Sequence, residues 1–125
     1  MQKIIQKVGC AVFKDKKILL VETDFGKDAY YFLGGTVEPN ETDLECLVRE
    51  VKEEAAVDVD SSTITFLGEF TAPAHGREQT LVTMRLYGCK LIGNPHPSSE
   101  VTGIVYCDSS LEENHHNPLS KMVFP

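Results

Sequence analysis

The sequence predicts one α/β or α+β domain built on a mixed β-sheet. Three observations predict it. Its elements run β-hairpin, strand, helix and then three strands. A single segment, beginning at Thr42, joins a helix-start signal to helical periodicity, while the other apolar segments are short and strand-like. The 125 residues suit a single domain, taken as 1–125, large enough to hold a core of its own.

Each element has a local reason. Val8 to Phe13 is apolar, Lys14–Lys17 is a charged turn, and Ile18 to Glu22 is the second strand of a hairpin. Thr23 to Ala29 is polar, contains Gly26 and reads as a loop. Tyr30 to Leu33 is a short aromatic strand ending at Gly34-Gly35, where adjacent glycines let the backbone bend or approach something closely. Thr42 then caps a helix, with Glu45 placed to complete a capping box. Leu44, Leu47, Val48, Val51 and Ala55 form its expected apolar stripe. Asp58 to Ser62 reads as a turn. Thr63 to Ala72 and Thr80 to Leu91 are strands joined by the polar loop Pro73–Gln79. Gly93 to Ser99 is a loop, and Ile104 to Tyr106 is a last short strand. Beyond Asp108 the pattern weakens, and Asn114–Pro118 would break a helix.

Charge and composition exclude several classes. The net charge of −7 and the absence of a basic run argue against duplex nucleic acid as a partner. No apolar run approaches the roughly 20 residues of a membrane helix, and Met1–Ile5 lacks a signal-peptide core, so the expected compartment is the cytoplasm. Cys10, Cys46, Cys89 and Cys107 are widely spaced, and three of them sit in apolar runs. They read as reduced, buried small hydrophobes rather than a zinc site or a disulfide.

The chemistry concentrates on the helix. Glu50, Glu53 and Glu54 stand at i, i+3 and i+4, so three carboxylates share one patch and repel one another. Arg49 can pair with Glu53 or Glu45 but cannot neutralise the cluster. Magnesium fits the remaining need, because it is hard, prefers oxygen, and binds through a few carboxylates together with substrate phosphates.

Gly35 is followed, after five residues, by Glu41, and after seven more by Arg49-Glu50-Val51, Lys52, Glu53-Glu54, Ala55, Ala56 and Val57. This spacing resembles the Nudix box at every defined position except one: Ala56 stands where the family has glycine. The resemblance implies the family's α/β/α sandwich and a pyrophosphohydrolase acting on a (d)NTP or another nucleoside diphosphate derivative. It implies Mg2+, or Mn2+, held by Glu50, Glu53 and Glu54 with the Gly35 carbonyl, and Glu41 either ligating or pairing with Arg49. Arg49 would orient the glutamates. The general base would be Glu54, Glu78 or Glu100. The family glycine ends the helix, and alanine there pays about 1–2 kcal/mol if it turns left-handed.

Further substrate contacts are expected from side chains outside the motif. Arg77 and His75 lie in the polar loop, where a guanidinium matches phosphate oxygens; the bland alternative is an exposed hairpin loop. Arg85 sits mid-strand among apolar residues, facing either an anionic substrate or solvent. Tyr31, with Tyr30 and Phe32, either stacks on a nucleobase or packs in the sheet. His115-His116 reads as solvated tail. One rival is a non-catalytic nucleotide sensor on the same fold; another is an unrelated acidic domain binding calcium or a protein. The expected oligomer is a monomer or a homodimer.

Overall fold

The structure is a computed structural model that describes residues 3–23, 30–74 and 77–108. The elements are β1 (Lys3–Ala11), β2 (Phe13–Lys14), β3 (Lys17–Thr23), β4 (Leu33–Thr36), α1 (Asp43–Ala55), β5 (Asp58–Ala74), β6 (Arg77–Ile92) and β7 (Val101–Asp108). They form a mixed α/β arrangement. A four-stranded sheet has the order β4-β1-β6-β5, and a three-stranded sheet has the order β2-β3-β7. β1 runs parallel to β6 and antiparallel to β4, while β5 is antiparallel to β6. Among the described residues no helix is long and apolar enough to cross a membrane.

β1 is an inner strand, and its Val8–Ala11 run is buried at every position, as a strand covered on both faces requires. Both sheets and α1 share one core. Val8, Cys10 and Leu33 from the first sheet meet Leu19, Val21 and Val101 from the second, and Leu47, Val51 and Ala55 from the helix. Tyr31 bridges to Val21 through paired backbone bonds of 2.8 and 3.0 Å and packs against this core.

Several expectations change in the structure. The glycines do not end the aromatic strand. β4 begins at Leu33 and contains both of them, paired with Gly9 and Val8. The α1 stripe is rotated: Cys46, Leu47, Val51 and Ala55 are buried, whereas Leu44 and Val48 are exposed. Periodicity alone could not separate these faces, since both carry apolar residues at i, i+4. The bare glycines of β4 break the tie by admitting the Glu50–Glu54 edge of the helix.

Asp58–Ser62 is not a separate turn but the start of β5. Its turn chemistry survives as a register shift between Asp60 and Thr65, where Asp60 Oδ1 accepts from Ser62 N and Oγ at 3.2 and 2.7 Å. The Pro73–Gln79 loop shortens because β5 runs to Ala74 and β6 starts at Arg77; β5 is an edge strand, where proline is tolerated. Cys10 and Cys89 are joined by a disulfide across β1 and β6, with Cα atoms 6.6 Å apart, instead of both being free. The parallel register sets Cys10 beside Tyr87, one side-chain repeat from Cys89, a pairing that linear spacing does not reveal. Cys46 and Cys107 are free and buried. Asn114–Pro118, including His115 and His116, lies outside the described residues.

Candidate functional site

The site begins with the helix start. Thr42 Oγ1 accepts from Glu45 N at 3.1 Å, and Glu45 Oε1 accepts from Thr42 N at 2.9 Å. This reciprocal box fixes where α1 begins, and therefore which residues face β4. Glu45 is thereby committed to the cap, so Arg49 finds its partners elsewhere.

Arg49 is the hub of the site. Its Nε and Nη2 donate to Glu41 at 2.7 and 3.0 Å, and its Nη1 donates to Glu50 Oε1 at 2.6 Å. Glu53 lies 3.5 Å and Glu38 3.8 Å from the same guanidinium. The bond from Arg49, helped by the Glu38 backbone N–H, holds the Glu41 carboxyl down at about 2. Nη2 also donates to the Thr36 carbonyl at 3.3 Å, tying the hub to β4.

Against β4 the packing is tight. A Cβ on Gly35 would stand 2.5 Å from the Glu50 carboxyl carbon, so that carboxylate occupies the space a side chain would need. Gly34 has φ +143°, and a Cβ there would overlap the Val8 carbonyl oxygen. Its N–H points to the open edge of β4 and donates to Glu54 Oε1 at 2.8 Å. Burial pushes the Glu54 carboxyl up to about 8. The Gly34 bond opposes that shift, and the charges of Glu50 and Glu53 add to it. Burial also raises Glu50, with Arg49 opposing.

The structure thus brings together Gly35, Glu41, Arg49, Glu50, Glu53 and Glu54. Among the described residues, no group of three carboxylate, imidazole or thiol side chains is arranged to hold a metal ion by itself. Glu50 and Glu53 are drawn toward Arg49, while Glu54 turns to Gly34. Glu100 is exposed on the loop before β7. That loop closes over the end of α1: His96 N and Ser98 N donate to the carbonyls of Ala55 and Glu54 at 2.8 and 3.0 Å. The helix itself ends at Ala56 with φ 58° and ψ 29°, so alanine adopts the left-handed turn expected of the glycine it replaces.

Arg85 is not gathered to the glutamates. Its Nε and Nη2 donate to Asp43 at 2.6 and 2.8 Å, its Nη1 donates to Gln6 at 2.6 Å, and Tyr87 Oη donates to Asp43 at 2.7 Å. This clasp joins β6 to the first turn of α1, about 10 Å along the helix axis from Glu50. Tyr31 is half-buried against the core. His75 lies outside the described residues, as do the side chains of Arg77 and Glu78.

Two further residues shape this region in ways that linear spacing does not show. Asp43 is the clasp's acceptor, and its only signal was a first-turn acidic position. Cys46 places its thiol 3.7 and 3.6 Å from the Gly35 and Thr36 carbonyls. Burial drives that thiol up to about 12, so it stays protonated and able to donate.

Comparison with known proteins adds three findings. The family described as NUDIX domain matches residues 3–121. The chain is 35% identical over 79 residues to the CTP pyrophosphohydrolase of Escherichia coli (strain K12); the match covers 61% of this chain and 53% of that protein, so it spans about half the relative's length. Among solved structures, the E. coli ORF135 protein has a TM-score of 0.70 at 25% identity, covering 94% of this chain and 81% of that one. The MutT NUDIX hydrolase from Burkholderia pseudomallei has a TM-score of 0.72 at 18% identity, covering 99% and 90%, which is a likeness of fold.

Proposed function

The chain belongs to the NUDIX domain family, and from that premise we propose that it is a divalent-metal-dependent pyrophosphohydrolase. The substrate would be a (d)NTP or another nucleoside diphosphate derivative, cut at a phosphoanhydride bond by water attacking phosphorus in line. CTP is the first compound to test, because the E. coli relative carries that activity in its name.

The observation that carries the proposal is the placement of Glu50 and Glu54 against the edge of β4, with Glu53 beside them on Arg49. Glu54 holds the Gly34 N–H, and Glu50 fills the space above Gly35. The residues fit a hard divalent cation. All the donors are oxygen, and magnesium needs only one or two carboxylates, with water and phosphate completing its shell. Glu50, Glu53 and Glu54, with the Gly35 carbonyl, would hold it; Mg2+ is the expected ion and Mn2+ the alternative. When bound it polarises a phosphoryl oxygen and neutralises phosphate charge.

The protein's own residues supply the rest. Arg49 spaces the glutamates and keeps Glu41 ionised beside them. Glu54, anchored by the Gly34 N–H, is one candidate for the general base. Glu100, on the loop tied to the end of α1, and Glu78 are the other candidates for that role. Arg77, His75 and Tyr31 remain proposed substrate contacts.

The test is a phosphate- and pyrophosphate-release screen across CTP, other NTPs and dNTPs, ADP-ribose, sugar nucleotides and dinucleoside polyphosphates. It is run with Mg2+, with Mn2+, with EDTA, and with Glu53→Gln and Glu54→Gln. Metal-dependent turnover that falls at least a hundredfold in the variants supports the proposal. Nucleotide binding without turnover of any compound would replace it with the sensor reading.

A further inference from the structure

Asp43, Leu47, Glu50 and Glu54 recur at i, i+4, i+7 and i+11, so they share one row along α1. Leu47, within the row, is fully buried in the core. The tail of the row is tied to β4, where Glu54 accepts from the Gly34 N–H at 2.8 Å and Glu50 fills the space above Gly35. Its head is tied to β6 through the Asp43–Arg85 clasp. We infer that Asp43 and Arg85 are positioning residues for the proposed metal site. By pinning the head of the row to β6, they set the tilt of α1 that brings Glu50 and Glu54 to the edge of β4.

The clasp fixes a direction as well as a distance. Arg85 Nε and Nη2 donate to the two oxygens of Asp43 at 2.6 and 2.8 Å, a planar, two-pronged contact that tolerates little rotation. Tyr87 Oη donates a third bond to the same carboxylate at 2.7 Å, and Gln6 of β1 accepts from Arg85 Nη1 at 2.6 Å. In the sheet order β1 lies between β4 and β6. The two tethers therefore stand about 10 Å apart across the sheet, with the helix laid over β1 between them. Leu44 and Val48, on the same half of α1 as the clasp, are exposed and add little to its hold. Leu47 acts as the pivot. Asp43 is about 6 Å and Glu54 about 10 Å from it along the axis, so a shift of about 1 Å at the clasp swings Glu54 by about 1.7 Å. That swing breaks the 2.8 Å bond to Gly34. It also spreads carboxylates that magnesium, with its strict geometry, needs close together.

The inference rests on the proposed pyrophosphohydrolase reading for the metal it serves, and its test has one arm that needs no metal. Amide hydrogen exchange at Gly34 is followed by NMR in the metal-free protein. The reference is Val21, whose N–H donates to Tyr31 at 2.8 Å. Affinity for Mn2+ is measured by calorimetry in parallel. The proteins are wild type, Asp43→Asn, Arg85→Gln, the double variant, Arg85→Lys and Cys107→Ala. Asp43→Asn and Arg85→Gln should each quicken Gly34 exchange about tenfold relative to Val21 and weaken Mn2+ about tenfold. The double variant should be no worse than the worse single one, because the two residues act as a unit. Arg85→Lys keeps the charge but not the fork, and should fall between. Cys107→Ala removes a buried side chain on β7 of the other sheet, and should leave both readouts within about twofold of wild type. Either readout unchanged in Asp43→Asn would overturn the inference. Equal losses in Cys107→Ala would do the same, since they mark a general loosening. If wild type binds no Mn2+, the pyrophosphohydrolase reading falls, and the Gly34 arm alone decides whether the clasp places Glu54. If Asp43→Asn does not fold, the comparison of Arg85→Lys with wild type decides by the same two readouts.

Discussion

Ala56→Gly should stabilise the protein. Ala56 ends α1 with φ 58° and ψ 29°, and its N–H donates to the Lys52 carbonyl at 3.1 Å. A residue with a Cβ pays about 1–2 kcal/mol in this left-handed region, because the Cβ crowds the following carbonyl. Glycine removes that cost but adds freedom to the unfolded chain, worth about 0.4–1 kcal/mol in the other direction. Ala56 is exposed, so its methyl forfeits little packing. The balance is a gain of about 0.5–1 kcal/mol, or about 2–5 °C in Tm for a domain of this size. Urea unfolding followed by circular dichroism reads it as a rise in midpoint at constant slope. A variant no more stable than wild type would mean that the native helix does not turn left-handed at this residue, and the argument from the cap would be wrong.

The pH dependence follows from Glu54. Its folded value near 8 lies above the ordinary 4.5, so the folded state binds the extra proton between those values. The Glu54 contribution to metal-free stability is therefore fullest below pH 4.5, declines as pH rises toward 8, and is absent beyond; Glu54→Gln should remove that slope in urea titrations from pH 5 to 9. Divalent metal should bind with release of a proton at pH 7, read as a buffer-dependent heat in calorimetry; a heat indifferent to buffer would count against a protonated Glu54. Asp43→Asn breaks a partly buried pair with Arg85 and a bond from Tyr87, and should cost about 1–3 kcal/mol in urea unfolding. In denaturant without reductant, two of the four cysteines should react with a thiol reagent. Reducing the Cys10–Cys89 crosslink, 79 residues apart in sequence, should lower stability by up to about 4.5 kcal/mol on the chain-entropy account. Four reactive thiols would show that the crosslink does not form.

The parts of the site legible in the sequence were those written in local spacing. Thr42 and Glu45 announced the helix start, and Arg49, Glu50, Glu53 and Glu54 announced a shared helical patch. What escaped was set by contacts distant in sequence. Leu44 and Val48 look as suited to a core as Leu47 and Val51, and only the approach of Gly34 and Gly35 decides which face turns inward. Arg85 looked like a cation awaiting an anion, but its acceptor is 42 residues away on another element. Cys10 and Cys89 meet only through the parallel register of β1 and β6. Asp60 and Ser62 carry honest turn chemistry, but β6 pairs across it and keeps β5 extended.

That parallel register has a consequence for how the molecule comes into being. β1 emerges from the ribosome first, yet one of its two neighbours, β6, is completed only at Ile92. At about 5–20 residues per second, the apolar Val8–Ala11 run waits on the order of 4–16 s before its second edge can be paired. Until then β1 can pair only with the four-residue β4. The nascent chain therefore carries the buried Val8–Ala11 run half-dressed until β6 has been made. Changes that slow translation before β6, or weaken the brief β1–β4 pairing, should show up as lost soluble yield even where the finished protein is unaltered.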